Sequence, residues 1–151
     1  MASTQAMCSS FKQELLTGTH VIGTDTLRIA LYLDAATLGP STTAYGGTVG
    51  STRDGVIEVA ASGSYTYGGS PVTFVAPALT GTTAYTGPTS ASTVSWTTFT
   101  ATGFSAALIF NASKSNKAIS VHTFSSQSIT SGTFTITFPT NDATTGLIRL
   151  T

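Results

Sequence analysis

From Asp25 onward, apolar and polar positions alternate with a period of two. In the run TLRIALYL, Leu27, Ile29, Leu31 and Leu33 share one face while Arg28, Ala30 and Tyr32 share the other, the pattern of a strand with one face in a core. Residues 133–138 alternate as strictly, with Phe134, Ile136 and Phe138 opposite Thr133, Thr135 and Thr137. Shorter strands are predicted at residues 56–60, 64–67, 72–75, 93–100, 104–110, 117–124 and 146–150, nine strands in all with no helical period between them. That succession indicates an antiparallel sandwich or barrel. Residues 106–110 and much of 118–124 are apolar on both faces, which predicts central strands covered from both sides.

The connections support a sandwich. Gly39-Pro40, Gly46-Gly47 and Asp54-Gly55 mark residues 34–55 as connecting chain. Residues 111–116 and 125–132 read as links, and residues 77–92 as a Thr/Gly/Pro loop without clear periodicity. Links of this length suit strands that cross between sheets, as in a Greek key or jelly roll. The one helical pattern lies at the start, where Cys8, Phe11, Leu15 and Leu16 form an apolar stripe over two turns. Ser10 and Gln13 have capping-box spacing, and Gly18 suits a C-terminal stop. So short a helix is marginal alone and must dock on something. The expected organisation is an N-terminal arm or docking helix at residues 1–18, then a single β-sandwich domain at 19–151. Its predicted core is Leu27, Ile29, Leu31, Trp96, Leu108, Phe110, Ile119, Val121, Phe134, Ile136, Phe138 and Ile148.

Charge changes the picture. Only 8% of residues are charged, against about 25% in an average soluble domain, and Ser and Thr stand in their place. Six basic and six acidic residues cancel, so no long-range field attracts nucleic acid or an anionic membrane. A surface poor in charge also lacks the usual protection against association, which suits a subunit that packs against others. Cys8 is the single cysteine, so no intrachain disulfide forms, and a small buried apolar role is expected for it. The N-terminus has neither the basic nor the apolar region of a secretion signal, so a soluble chain made in a cytoplasm is expected.

Candidate chemistry is sparse. His20 or His122 could be drawn into a Ser/His/Asp arrangement, but no G-x-S-x-G turn presents a nucleophile. Cys8 has no C-x-x-C partner, and no H-x-x-x-H or calcium-loop pattern occurs. Asp54 and Glu58 read as a turn residue and half of a surface ion pair. Lys114 and Lys117 read as solvated lysines, and Asn111-Ala112-Ser113 matches the glycosylation acceptor in a chain without a secretion signal. His122 reads as a satisfied or solvent-facing histidine and Trp96 as a core residue. No catalytic residue, cofactor or metal is expected, and the chain is not expected to be an enzyme.

CSSFKQELL, LRIALYLDAATLGPSTTAY, AALIFNASKSNKAISVHTF and FTITFPTNDATTGLIRL together resemble a small family of tailed-phage virion proteins, the capsid decoration, cement or head-fibre proteins. The resemblance spans nearly the whole chain, is weakest through residues 76–92, and carries no catalytic signature. It implies a jelly-roll-like subunit, a homotrimer, seated on the major capsid protein lattice on the exterior of the virion. Phe11, Leu15 and Leu16 are then the candidate capsid or subunit contacts. A receptor- or glycan-binding fibre module using Tyr65, Tyr67, Tyr85 and residues 77–92 is the alternative. A polymer-degrading enzyme would need a cleft with two convergent carboxylates.

Overall fold

Leu27, Ile29 and Leu31 take the buried face that their alternation predicts, and Ala30 and Tyr32 on the opposite face are buried too. β2 (Leu27–Leu33) is therefore a central strand, covered on both sides. The computed structural model describes residues 2–46, 57–89 and 93–151. Before β2 come β1 (Ala6–Met7) and α1 (Ser9–Leu16); after it come β3 (Ser70–Val72), β4 (Ala78–Thr80), β5 (Thr83–Thr86), β6 (Thr93–Asn111), β7 (Lys117–Thr137) and β8 (Ile148–Leu150). They form two antiparallel sheets, ordered β1-β7-β6-β2-β3 and β4-β5-β8. The protein is an all-β sandwich with one short helix.

The long strands depart most from expectation. Residues 93–100 and 104–110 belong to one strand, β6, and residues 117–124 and 133–138 fall on or next to one strand, β7. The segment 125–132, expected as a link, is strand. Its Ser and Gly residues sit at register shifts between β6 and β7, where extra residues are accommodated as bulges. Thr98 and Ser131 take left-handed φ values of 53° and 48° there, the local kinks that bulges require.

These bulges let the ribbon double back. Phe124 and Phe134 lie ten positions apart on β7, yet their ring centroids are 5.5 Å apart, where a straight strand would separate them by about 33 Å. The outer half of the β6–β7 ribbon thus packs over the inner half, as strands do when they turn a corner from one layer to another. Between the layers lie Trp96, Phe99 and Phe104, all fully buried, and Phe134 packs edge-on against Phe104 at 4.9 Å. Of the predicted core, Phe134 and Ile136 are half-buried at the rim and the other ten residues are buried.

Smaller corrections follow from turn chemistry. Residues 64–67 form no strand; Ser62 and Tyr65 pair across a tight turn. Residues 57–60 contribute a single bridge, Tyr32 to Glu58, while Val56, Gly47, Asp54 and Gly55 lie outside the described residues. Residues 77–89, expected to be loop, hold the hairpin β4–β5 with Gly81-Thr82 as its two-residue turn. The strand expected at residues 72–75 lies earlier, at Ser70–Val72, and that expected at 146–150 shortens to Ile148–Leu150.

At the N-terminus the capping box does not form. The chain leaves β1 extended, Cys8 donates its backbone N–H to Ile119 O at 2.9 Å, and the helix begins at once, with Cys8 as its N-cap and Ser10 inside the first turn. Cys8 is buried as expected, and burial pushes its thiol up to about 11. Gly18 ends the helix as predicted. Its φ of 69° lets Gly18 N–H reach Leu15 O at 3.2 Å and Thr19 N–H reach Glu14 O at 2.9 Å, which satisfies carbonyls that the helix end leaves free.

Candidate interaction surface

The stripe on α1 splits into three environments. Phe11 is fully buried, with its ring edge-on to His20 at 4.9 Å, so it belongs to the core and is not available as the contact residue expected. Leu15 is half-buried, and Leu16 is 90% exposed. Leu15 lines an apolar groove with Ile22, Ala84, Ile148 and Leu150. Across the smaller sheet Leu79, Ala84 and Leu150 stand opposite one another, so their side chains share a face. Leu79 is 70% exposed and Leu150 51%. The result is an apolar strip that runs from Leu15 on α1 across the smaller sheet; among the described residues Val21 and Tyr67 are also exposed. Sequence reasoning found Leu15 and Leu16, but missed Leu79 and Leu150 because strands this short carry no period.

A polar clasp fixes α1 to the sandwich. Glu14 accepts from His20 Nε2 at 2.8 Å and from Lys117 Nζ at 2.5 Å. On the other side of the ring, Asn111 Nδ2 lies 2.9 Å from His20 Nδ1 and 2.7 Å from Asp25 Oδ2. Asn111 Nδ2 can only donate, so Nδ1 accepts and the ring proton at Nε2 goes to Glu14. Both ring nitrogens are engaged and neither meets a Ser or Thr hydroxyl, so His20 activates no nucleophile here. Lys114 sits 3.7 Å from Asp25. Lys114 and Lys117, expected to be solvated, are thus partners of acids distant in sequence. Burial alone would raise the Glu14 carboxyl, but hydrogen bonds from Lys117 and His20 outweigh it and hold the group below its ordinary value. Asp25 is lowered in the same way, with the Asn111 amide and the Val21 N–H outweighing burial.

Glu58 is the second correction among charged residues. It is fully buried, not half of a surface pair. Its carboxylate accepts from Tyr45 Oη and Tyr65 Oη, each at 2.9 Å, and from Gly68 N–H at 2.7 Å. Burial first, and the nearby Glu58 charge second, push the Tyr32 and Tyr65 phenols well above their ordinary range. Tyr65 Oη also accepts from Leu31 N–H at 2.9 Å. Arg28 donates to Gly68 O at 2.9 Å and to Gly69 O, so the cluster ties residues 58–69 to β2.

The remaining candidates do not converge. Tyr65 is buried and offers no stacking platform; Tyr67 is exposed and Tyr85 half-buried. Trp96 is buried as expected, its Nε1–H donating to Ser70 Oγ at 2.8 Å. His122 is half-buried beside Ser120 Oγ at 2.9 Å, and burial depresses its imidazole to about 4. Among the described residues, no group of three or more His, Cys, Asp or Glu side chains could hold a metal ion, and no helix is long and apolar enough to cross a membrane. Comparison of the chain with protein-family models, with curated proteins and with solved structures gave no match.

Proposed function

We propose that this protein is a structural subunit of a tailed-phage virion, a decoration or cement protein that binds the major capsid protein lattice as a homotrimer and stiffens the shell. The observation that carries the reading is the apolar strip of Leu15, Leu79 and Leu150, together with the exposed Leu16 that follows Leu15 on α1, in a chain with only 8% charged residues. Contiguous exposed apolar side chains mark contact surfaces, and this surface includes two of the three α1 residues nominated from sequence. Weak contacts of this kind become strong binding when copies are linked, because each additional foothold is then intramolecular. The resemblance of the strand and turn motifs to phage decoration proteins supplies the partner.

The test uses assembled particles. Leu16→Glu combined with Leu79→Glu places two charges on exposed positions of this surface. The isolated variant should keep the wild-type melting temperature and lose occupancy on the capsid, read by electron microscopy and by the protein's stoichiometry in purified particles. Undiminished occupancy overturns the contact. Particles without the protein should lose resistance to heat and osmotic shock; unchanged robustness with lost adsorption to cells overturns the cement role.

A further inference from the structure

The doubled-back ribbon leaves one side of the sandwich open. Among the described residues the edge of β7 away from β6 is covered only near its start: Ala44 bridges Lys117, Cys8 N–H bonds to Ile119 O, and Ala6 and Met7 pair with Val121 and Ser120. Among the described residues no backbone pairs with that edge over residues 123–137. Where the two halves of β7 face each other, two adjoining hollows of about 200 and 370 Å³ share Phe124 and Ile136 in their walls, with His122 in one and Gln127 and Phe134 in the other. Phe124, Phe134 and Ile136 are only half-buried, although the same aromatic cluster is fully buried on the β6 side.

An open edge beside partly buried aromatic rings is a combination that soluble monomers normally block with lysines, prolines or short strands. Bulges interrupt the edge through residues 125–132, but lysines and prolines are absent from it and residues 134–137 pair regularly. Residues 123–137 contain no Lys, Arg, His, Asp, Glu or Pro. Residues 133–137 run in regular register with β6 apart from the shift beyond Trp96, and five residues is an ordinary strand length of about 17 Å. An uncharged edge can approach a strand of a neighbouring copy without repulsion, and N–H and C=O groups with no backbone partner among the described residues call for a β-strand as partner. With a net charge of zero, whole copies do not repel one another either.

We infer that the open side formed by the outer edge of β7 and the Phe124, Phe134 and Ile136 cleft is the face on which copies of this chain meet. The occupant of the cleft is a neighbouring copy of this chain, in a head-to-tail contact of the kind that closes a ring, and the contact uses residues distinct from the leucine strip. The expectation of three copies rests on the virion reading above, whereas the location of the contact rests on the open edge itself.

Light scattering of the purified protein tests it without particles. At micromolar concentration the wild type should have the mass of a trimer, and Ile136→Lys should have the mass of a monomer with an unchanged far-ultraviolet circular dichroism spectrum. If Ile136→Lys fails to fold, Gln127→Lys at the cleft rim carries the same test. Hydrogen exchange should show amides of residues 133–137 protected in the wild type and exposed in the dissociated variant. A monomeric wild type, or folded variants that keep the wild-type mass, overturns the assignment. Capsid occupancy lost through Leu16→Glu and Leu79→Glu with the solution trimer intact would separate the two surfaces.

Discussion

Removing the Glu58 carboxylate should be among the most damaging single changes in the protein. Glu58→Ala leaves Tyr45 Oη, Tyr65 Oη and Gly68 N–H without the acceptor they now share at 2.7–2.9 Å. Hydrogen bonds to a charged group contribute about 1.5–3 kcal/mol each, and buried donors left unpaired cost on that scale. The three bonds share one carboxylate and do not add, so about 3–5 kcal/mol is expected, the range seen when one partner of a buried charged network is removed. For a domain of this size each kcal/mol lowers Tm by about 2–4 °C, so Tm should fall by about 6–20 °C, with an unchanged urea m-value. A double-mutant cycle isolates the tyrosine contribution: Tyr45→Phe should cost about 1–2 kcal/mol in the wild type and much less in Glu58→Ala. A loss under 1 kcal/mol, or full additivity in the cycle, would refute the idea that this buried carboxylate organises residues 58–69 against β2.

Acid should weaken the fold in two steps with different causes. The His122 imidazole is depressed to about 4 in the folded state, so its neutral form is favoured there; its stabilisation is complete above the unfolded value near 6.5 and declines as pH falls toward 4. His122→Gln should therefore flatten the stability profile in that window, as read by urea denaturation at a series of pH values. Glu14 and Asp25 are held below their ordinary values, so their contribution is complete above the ordinary carboxylate range and is lost at lower pH. Exchange of α1 amides should then accelerate as the clasp opens. At Gly69 the backbone is left-handed with φ of 62°, and an added Cβ would lie 1.7 Å from Ile29 O. Gly69→Ala should abolish soluble expression, whereas Gly81→Ala, with no atom within 4 Å of its Cβ position, should fold with only a modest loss of stability from its own left-handed φ.

Much of the architecture was legible where local pattern and environment agree. Period-two alternation located β2 and the end of β7, apolar runs on both faces identified the buried stretch of β6 and the start of β7, and Gly18 marked the end of α1 through its freedom at positive φ. Trp96 and Cys8 were assigned to the interior from their type and strand context, and both are there. Leu15 and Leu16 were visible as part of the apolar stripe on α1.

Tertiary structure alone decided the rest. Serine and glycine in residues 125–132 signal a turn locally, yet they sit at bulges inside a continuous strand, because pairing with β6 rewards extended backbone more than local propensity penalises it. Glu58 looked like a surface acid until folding placed two phenols and a backbone N–H around it, and Lys114 and Lys117 found carboxylates some ninety to one hundred residues away in sequence. A side chain's environment is set by contacts far along the chain, whereas alternation and capping are set within a few residues. The regularly alternating elements follow from the short-range order of the sequence, but the continuity of β7, its open edge, the clasp on α1 and the leucine strip exist only once distant segments pack.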